Sequence, residues 1–112
     1  MAVIPWDIKI HKNKGDKEVL IATVQLDAAD TTDNLEISEY SDKTVHISGG
    51  TVSLLGSNGI GTPQALHRAH DPTLTFTAVA AEALATIIEN PRILFASASA
   101  GTNVDIVIVA RS

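Results

Sequence analysis

The chain has 112 residues, 45% of them hydrophobic but only 4% aromatic, so a single domain must build its core from Val, Ile, Leu and Ala. It has no Cys, which excludes disulfides and thiolate metal sites. A formal charge of −5 argues against broad nucleic-acid binding, no signal peptide is read at the N-terminus, and no run approaches the roughly 20 apolar residues of a membrane span.

Residues 1–16 differ from the remainder and are read as an N-terminal arm and turn, ahead of a single β domain over 17–112. Met1-Ala2-Val3-Ile4-Pro5-Trp6 is apolar and carries the only Trp. Pro5 suits an edge or an extended arm better than a central strand. Two readings of Trp6 stand: it covers one end of its own core, or the arm reaches a neighbouring subunit, since a terminus needs something to tie it down. Lys9, Lys12, Lys14 and Lys17 make a local basic patch on an acidic chain, either a solvated turn or a face for an acidic partner.

Glu18–Asp27 reads as a strand, followed by a polar break holding Asp27, Asp30 and Asp33, and Leu35–Ser38 as a further short strand. Thr44–Ser48 and Thr51–Leu54 alternate apolar with polar residues on either side of Gly49-Gly50. A two-residue hairpin loop there would pair Ile47 with Val52 and Val45 with Leu54, placing all apolar residues on one face. Gly56–Gly61, with three Gly in six residues, is a loop. Gln64–His70 reads as a strand stopped by Asp71-Pro72, and Leu74–Thr77 alternates. Ala-rich Ala78–Glu89 is the one segment read as a helical turn or two. Arg92–Ser99 and Asn103–Ala110 are the last strands. Val104–Val109 is apolar on both faces and belongs in a central strand or under another subunit. The fold expected is all-β: an antiparallel β-sandwich or jelly roll of about eight strands, with at most one short helix.

No group of residues makes a catalytic constellation, and no cofactor is expected. His67, His70 and Asp71 invite a metal, but residues three apart on a strand face opposite ways and zinc needs three or four converging ligands. Asp27, Asp30 and Asp33 lack calcium-loop spacing and its Gly. The glycine loop lacks the Lys-Ser/Thr of a phosphate cradle, and Ser57 lacks a nucleophile-elbow context. Nothing sets Glu82 and Glu89 across a cleft as a carboxylate pair. Phe76 and Phe95 are expected in the core.

The strings Tyr40-Ser41-Asp42-Lys43-Thr44-Val45, Gly50 through Gly59, Asp71-Pro72 with Leu74–Ala78, and Glu89-Asn90-Pro91-Arg92 occur in this order, ahead of a Val-rich strand closing in Ala110-Arg111. Together, over residues 38–112, they resemble jelly-roll cement, or head-decoration, proteins of tailed bacteriophages. Two loops depart from that pattern. An aromatic is missing after Ser57-Asn58-Gly59, and Ile93-Leu94 stands where an aromatic often follows the Asn-Pro-Arg turn. The docking surface is therefore not carried over.

The resemblance implies a structural virion protein on the capsid exterior, made in the host bacterial cytoplasm. It would bind the major capsid protein and itself, as a homodimer or a trimer, with no direct contact to nucleic acid or membrane. Many identical copies on a lattice give avidity, so each contact can be modest. Ile4, Trp6, Lys9, Lys12, Lys14 and Tyr40 are the candidate partner-binding residues. A carbohydrate-binding module, resting on exposed Trp6 or Tyr40, and a tail or baseplate component are the alternatives.

Overall fold

The computed structural model describes residues 2–12, 18–69, 71–80, 83–89 and 91–112, apart from the side chains of Lys12 and residues 71–74. In chain order the strands are β1 (Val3–Ile4), β2 (Asp7–Lys12), β3 (Glu18–Leu26), β4 (Thr31–Thr32), β5 (Leu35–Glu36), β6 (Asp42–Ser57), β7 (Gln64–Ala65), β8 (His67–Arg68), β9 (Asp71–Thr75), β10 (Ala83–Thr86) and β11 (Ile93–Arg111). Every strand pair is antiparallel except β1 with β4, so the described residues form an all-β sandwich.

Two long strands hold both layers. β6 (16 residues) and β11 (19 residues) pair along their full lengths, from Ile93 opposite Ser57 to Arg111 opposite Asp42. The half containing Asp42–Ser48 and Asp105–Arg111 is flanked by β3 and then β2 on one side and by β10 on the other. The other half, Gly50–Ser57 with Ile93–Gly101, is flanked by β4 and β5 and by β7. Both halves of β11 bury their even-numbered residues (Leu94, Ala96, Ala98; Val104, Ile106, Ile108, Ala110), so the bend folds the paired strands back over one shared interior. Leu20, Ala22, Val24 and Leu26 of β3, together with Leu35, Ile37 and Phe76, fill the rest.

The Gly49-Gly50 pair is therefore a corner in a continuous strand, not the hairpin expected. At this corner Gly101 pairs with Gly50 and Asp105 with Ser48, leaving Thr102–Val104 opposite Gly49 alone, a bulge that sharpens the turn. Gly49 and Gly101 have φ of 100° and 115°, and Asn103 lies at 54°. The expected buried set (Val45, Ile47, Val52, Leu54) is buried nonetheless. An in-line corner and a hairpin both require the apolar positions to switch from odd to even at the glycines. Likewise the two C-terminal strands are one bent strand.

Two other expectations are corrected. Ala83–Thr86, in the segment read as helical, is strand β10 against Thr44–Ile47; Ala85 and Ile87 point in while Leu84, Thr86 and Ile88 point out, a period of two. Glu82 lies outside the described residues. Phe95 is half-exposed on the outer face opposite Leu55, whereas Phe76 is fully buried. Residues 2–12 of the expected arm are mainly β1 and β2, both paired into the sandwich.

Candidate functional site

The proposed partner residues lie around the β1–β2 edge. Trp6 is 7% exposed and packs in the core; its indole Nε1–H donates to the Asp33 carbonyl (3.1 Å) and its backbone N–H to Asp33 Oδ1 (3.2 Å). This is the first of the two readings of Trp6, and it takes the ring away from any partner. Ile4 is half-buried against the same core. Tyr40 is 5% exposed, with its hydroxyl donating to Glu18 Oε2 (2.9 Å). Burial, then the hydrogen bond and charge of Glu18 and the charge of Glu39, push its phenol up to about 12. Lys9 is exposed on the outer face opposite Ile21. Lys12 pairs through its backbone with Glu18, and its side chain and the whole of Lys14 lie outside the described residues.

Sequence reasoning passed over Ile8 and Ile10 of this edge. Ile8 and Ile10 oppose Ala22 and Leu20 and so face the interior side, yet they are 45% and 53% exposed. The opposite layer does not reach over β2. They open onto a groove floored by Leu20 and Tyr40 and walled by Glu36 and Glu39. Val3, 64% exposed, lies on β1 nearby in the chain. Among the described residues β2 pairs only with β3, so half of its N–H and C=O groups face away from the sheet. The signal was in the sequence: Asp7-Ile8-Lys9-Ile10-His11-Lys12 alternates in all but its last position.

A second cleft lies at the other layer, between Ser57–Gln64 and His67 with Glu89 and Pro91. Glu89 accepts from the His67 backbone N–H (2.7 Å) and pairs with its ring Nδ1. Desolvation raises the Glu89 carboxyl, but the hydrogen bonds from the His67 backbone and ring, that of its own backbone and the His67 charge together outweigh it and hold the group below its ordinary value. The adjacent Arg68 guanidinium stands 5.4 Å over the Phe76 ring. Residues 22 apart meet here, a contact that no local pattern announces. His70 lies outside the described residues.

The three Asp considered for calcium serve the backbone instead. Asp27 Oδ1 accepts from Asn103 N–H (2.9 Å), Asp30 from Ala2 (3.1 Å) and Asp27 (3.1 Å) N–H, and Asp33 from Trp6 N–H. They tie the N-terminus and the β11 corner to one loop. Lys43 is the buried charge that the sequence reading missed. It is fully buried, its Nζ donates to the Tyr40 carbonyl (3.2 Å), and burial lowers its pKa against the raising effect of Asp42 and Glu89. It shares odd parity with Val45 and Ile47, which is the signal for its inward direction.

The two-layer arrangement with bent shared strands is that of a jelly-roll-type β-sandwich. No family model matches the chain, and no curated protein matches it. Among solved structures it is similar to the SPBc2 prophage-derived protein YomS, at 15% identity and a TM-score of 0.66, over 91% of this chain and 100% of that one. It is also similar to a cupin domain from Bordetella pertussis Tohama I, at 11% identity and a TM-score of 0.51, over 100% and 98% of the two chains. At these identities the likeness shows the fold.

Proposed function

We propose that the protein is a structural virion protein of a tailed bacteriophage that binds the outer surface of the capsid and stabilises it by bridging major capsid protein subunits. It acts as a homo-oligomer and needs neither cofactor nor catalytic group. The observation that carries this reading is the fold shared, over 91% of this chain, with a prophage-derived protein. The likeness of residues 38–112 to cement proteins supports the finer assignment to the head.

The physics suits the role. A cement protein has to be a rigid wedge presenting contact patches, and the shared strands β6 and β11 make the two layers one rigid unit. The exposed apolar residues of the N-terminal edge and Ile60 at the glycine loop, 84% exposed, supply contact area. Lattice avidity makes modest patches sufficient. Trp6 and Tyr40, the aromatics on which a glycan platform would rest, are buried, which favours this reading over a carbohydrate-binding module.

The test is localisation. Gold-labelled antibody against the protein should decorate the heads of intact virions, and purified protein should sediment with expanded capsids that lack it. Label on the tail or baseplate would replace the head assignment with a tail one. Failure to bind capsids, joined to binding on a glycan array, would overturn the reading.

A further inference from the structure

We infer that two copies of the chain join edge to edge through β2, antiparallel about a twofold axis at Ile8, so that the β2-containing layers of both copies form one continuous sheet. This goes beyond capsid binding and stands on the strand edge alone, whether or not the capsid reading holds.

A free antiparallel edge is a template for another strand, and proteins usually blunt it with a charge, a Pro or a bulge. Within β2 the described outer face carries two charges that could act as such guards, Asp7 and Lys9, of opposite sign. Self-pairing offers a register that turns the guards into contacts. In a symmetric antiparallel pair, directly opposite side chains lie on the same face, so the axis must pass through a residue. With the axis at Ile8, Ile8 meets the partner's Ile8, and Asp7 meets the partner's Lys9, twice by symmetry. Moving the axis to Lys9 would set Lys9 against its own copy, a like-charge pair that destabilises. The apolar side of the same register places Ile10 beside the chain around the partner's Trp6, over the groove that Ile8 and Ile10 leave open.

The opposite edge of this layer is a poorer candidate. β10 has four residues, Ala-Leu-Ala-Thr, with no opposite charges to set a register. The β2 pair is small: a six-residue strand buries well under the roughly 1,200 Å² of a stable interface, so a Kd on the order of 10–100 µM is expected.

Sedimentation equilibrium of the full chain tests this, together with single-cysteine crosslinking, which the Cys-free sequence permits. A dimer should form in that concentration range. Asp7→Lys or Lys9→Asp alone should weaken it on the order of tenfold by turning both ion pairs repulsive, and the double exchange Asp7→Lys/Lys9→Asp should restore it. Ile8→Cys should crosslink on mild oxidation, since opposite Cα atoms about 4.5–5.5 Å apart suit a disulfide. Leu84→Cys on β10 should not. A chain monomeric at all these concentrations would overturn the inference. So would a dimer indifferent to the charge exchanges, or one that crosslinks through position 84 as readily as through 8. All four positions are exposed, so the variants keep the core intact.

Discussion

Replacing Gly50 by Ala probes the corner on which both layers depend. An added Cβ would stand 2.3 Å from the Ala100 carbonyl oxygen, 2.5 Å from Val104 Cγ2 and 3.2 Å from Gly101 Cα. Two of these three atoms are backbone in β11, the central strand of both layers, so the clash is relieved only if that strand moves. Overpacking costs about 1–3 kcal/mol where side chains can adjust, and a backbone obstacle puts Gly50→Ala at about 3 kcal/mol. Reduced freedom of the unfolded chain offsets about 0.4–1 kcal/mol of this, leaving roughly 2 kcal/mol. For a domain of this size that lowers Tm by roughly 10 °C.

Gly61→Ala is the matched control. Gly61 has φ of +67° but no atom within 4 Å of an added Cβ, so only the left-handed penalty of about 1–2 kcal/mol applies, against the same offset. A net cost of about 0.8 kcal/mol at mid-range should lower its Tm by roughly 4 °C. Differential scanning calorimetry of the two variants and the parent gives the comparison. A Gly50→Ala variant that melts with the parent, or with Gly61→Ala, would refute the tight packing of β6 on β11 at the corner.

Two more outcomes are expected. Trp6→Ala should lower the unfolding free energy by about 3–5 kcal/mol, and deletion of residues 2–8 should do at least as much, because the ring is core; an unchanged urea midpoint would place it outside. Tyr40→Phe removes the donor to Glu18 and should cost about 1–2 kcal/mol at neutral pH. Because the folded state holds the Tyr40 proton up to about 12 against 10.0 unfolded, its contribution is full below pH 10 and is lost as pH rises toward 12. The difference between parent and variant, followed by denaturation at pH 9 to 12, should shrink through that window, and a constant difference would contradict the raised pKa.

What the sequence disclosed was mostly what a strand reveals about itself. Alternation at Val45, Ile47, Val52 and Leu54 identified the buried face because side-chain direction depends only on local parity. It could not identify the partner: the hairpin and the corner share that parity switch, and the actual partner strand lies some fifty residues on. The Ala-rich stretch was misread because Ala favours helices intrinsically, whereas pairing with Thr44–Ile47 supplies a stronger, non-local preference. Composition also hid Lys43, since charge outweighed a parity that pointed inward. At the candidate edge Ile4, Trp6, Tyr40 and the lysines stand out in the sequence, while nothing local marks Ile8 and Ile10 as exposed. Only the placement of the opposite layer leaves them uncovered.

The position of β11 has a consequence for biosynthesis. It is made after every strand it pairs with, yet it is the strand on which β3, β4, β5 and β6 converge. A nascent chain lacking it presents the apolar faces of β3 and β6 with nothing between them, so no stable partial sandwich can form during synthesis. Folding must then wait for the last strand and proceed in one cooperative step dominated by distant contacts, which is slow and exposes sticky surface meanwhile.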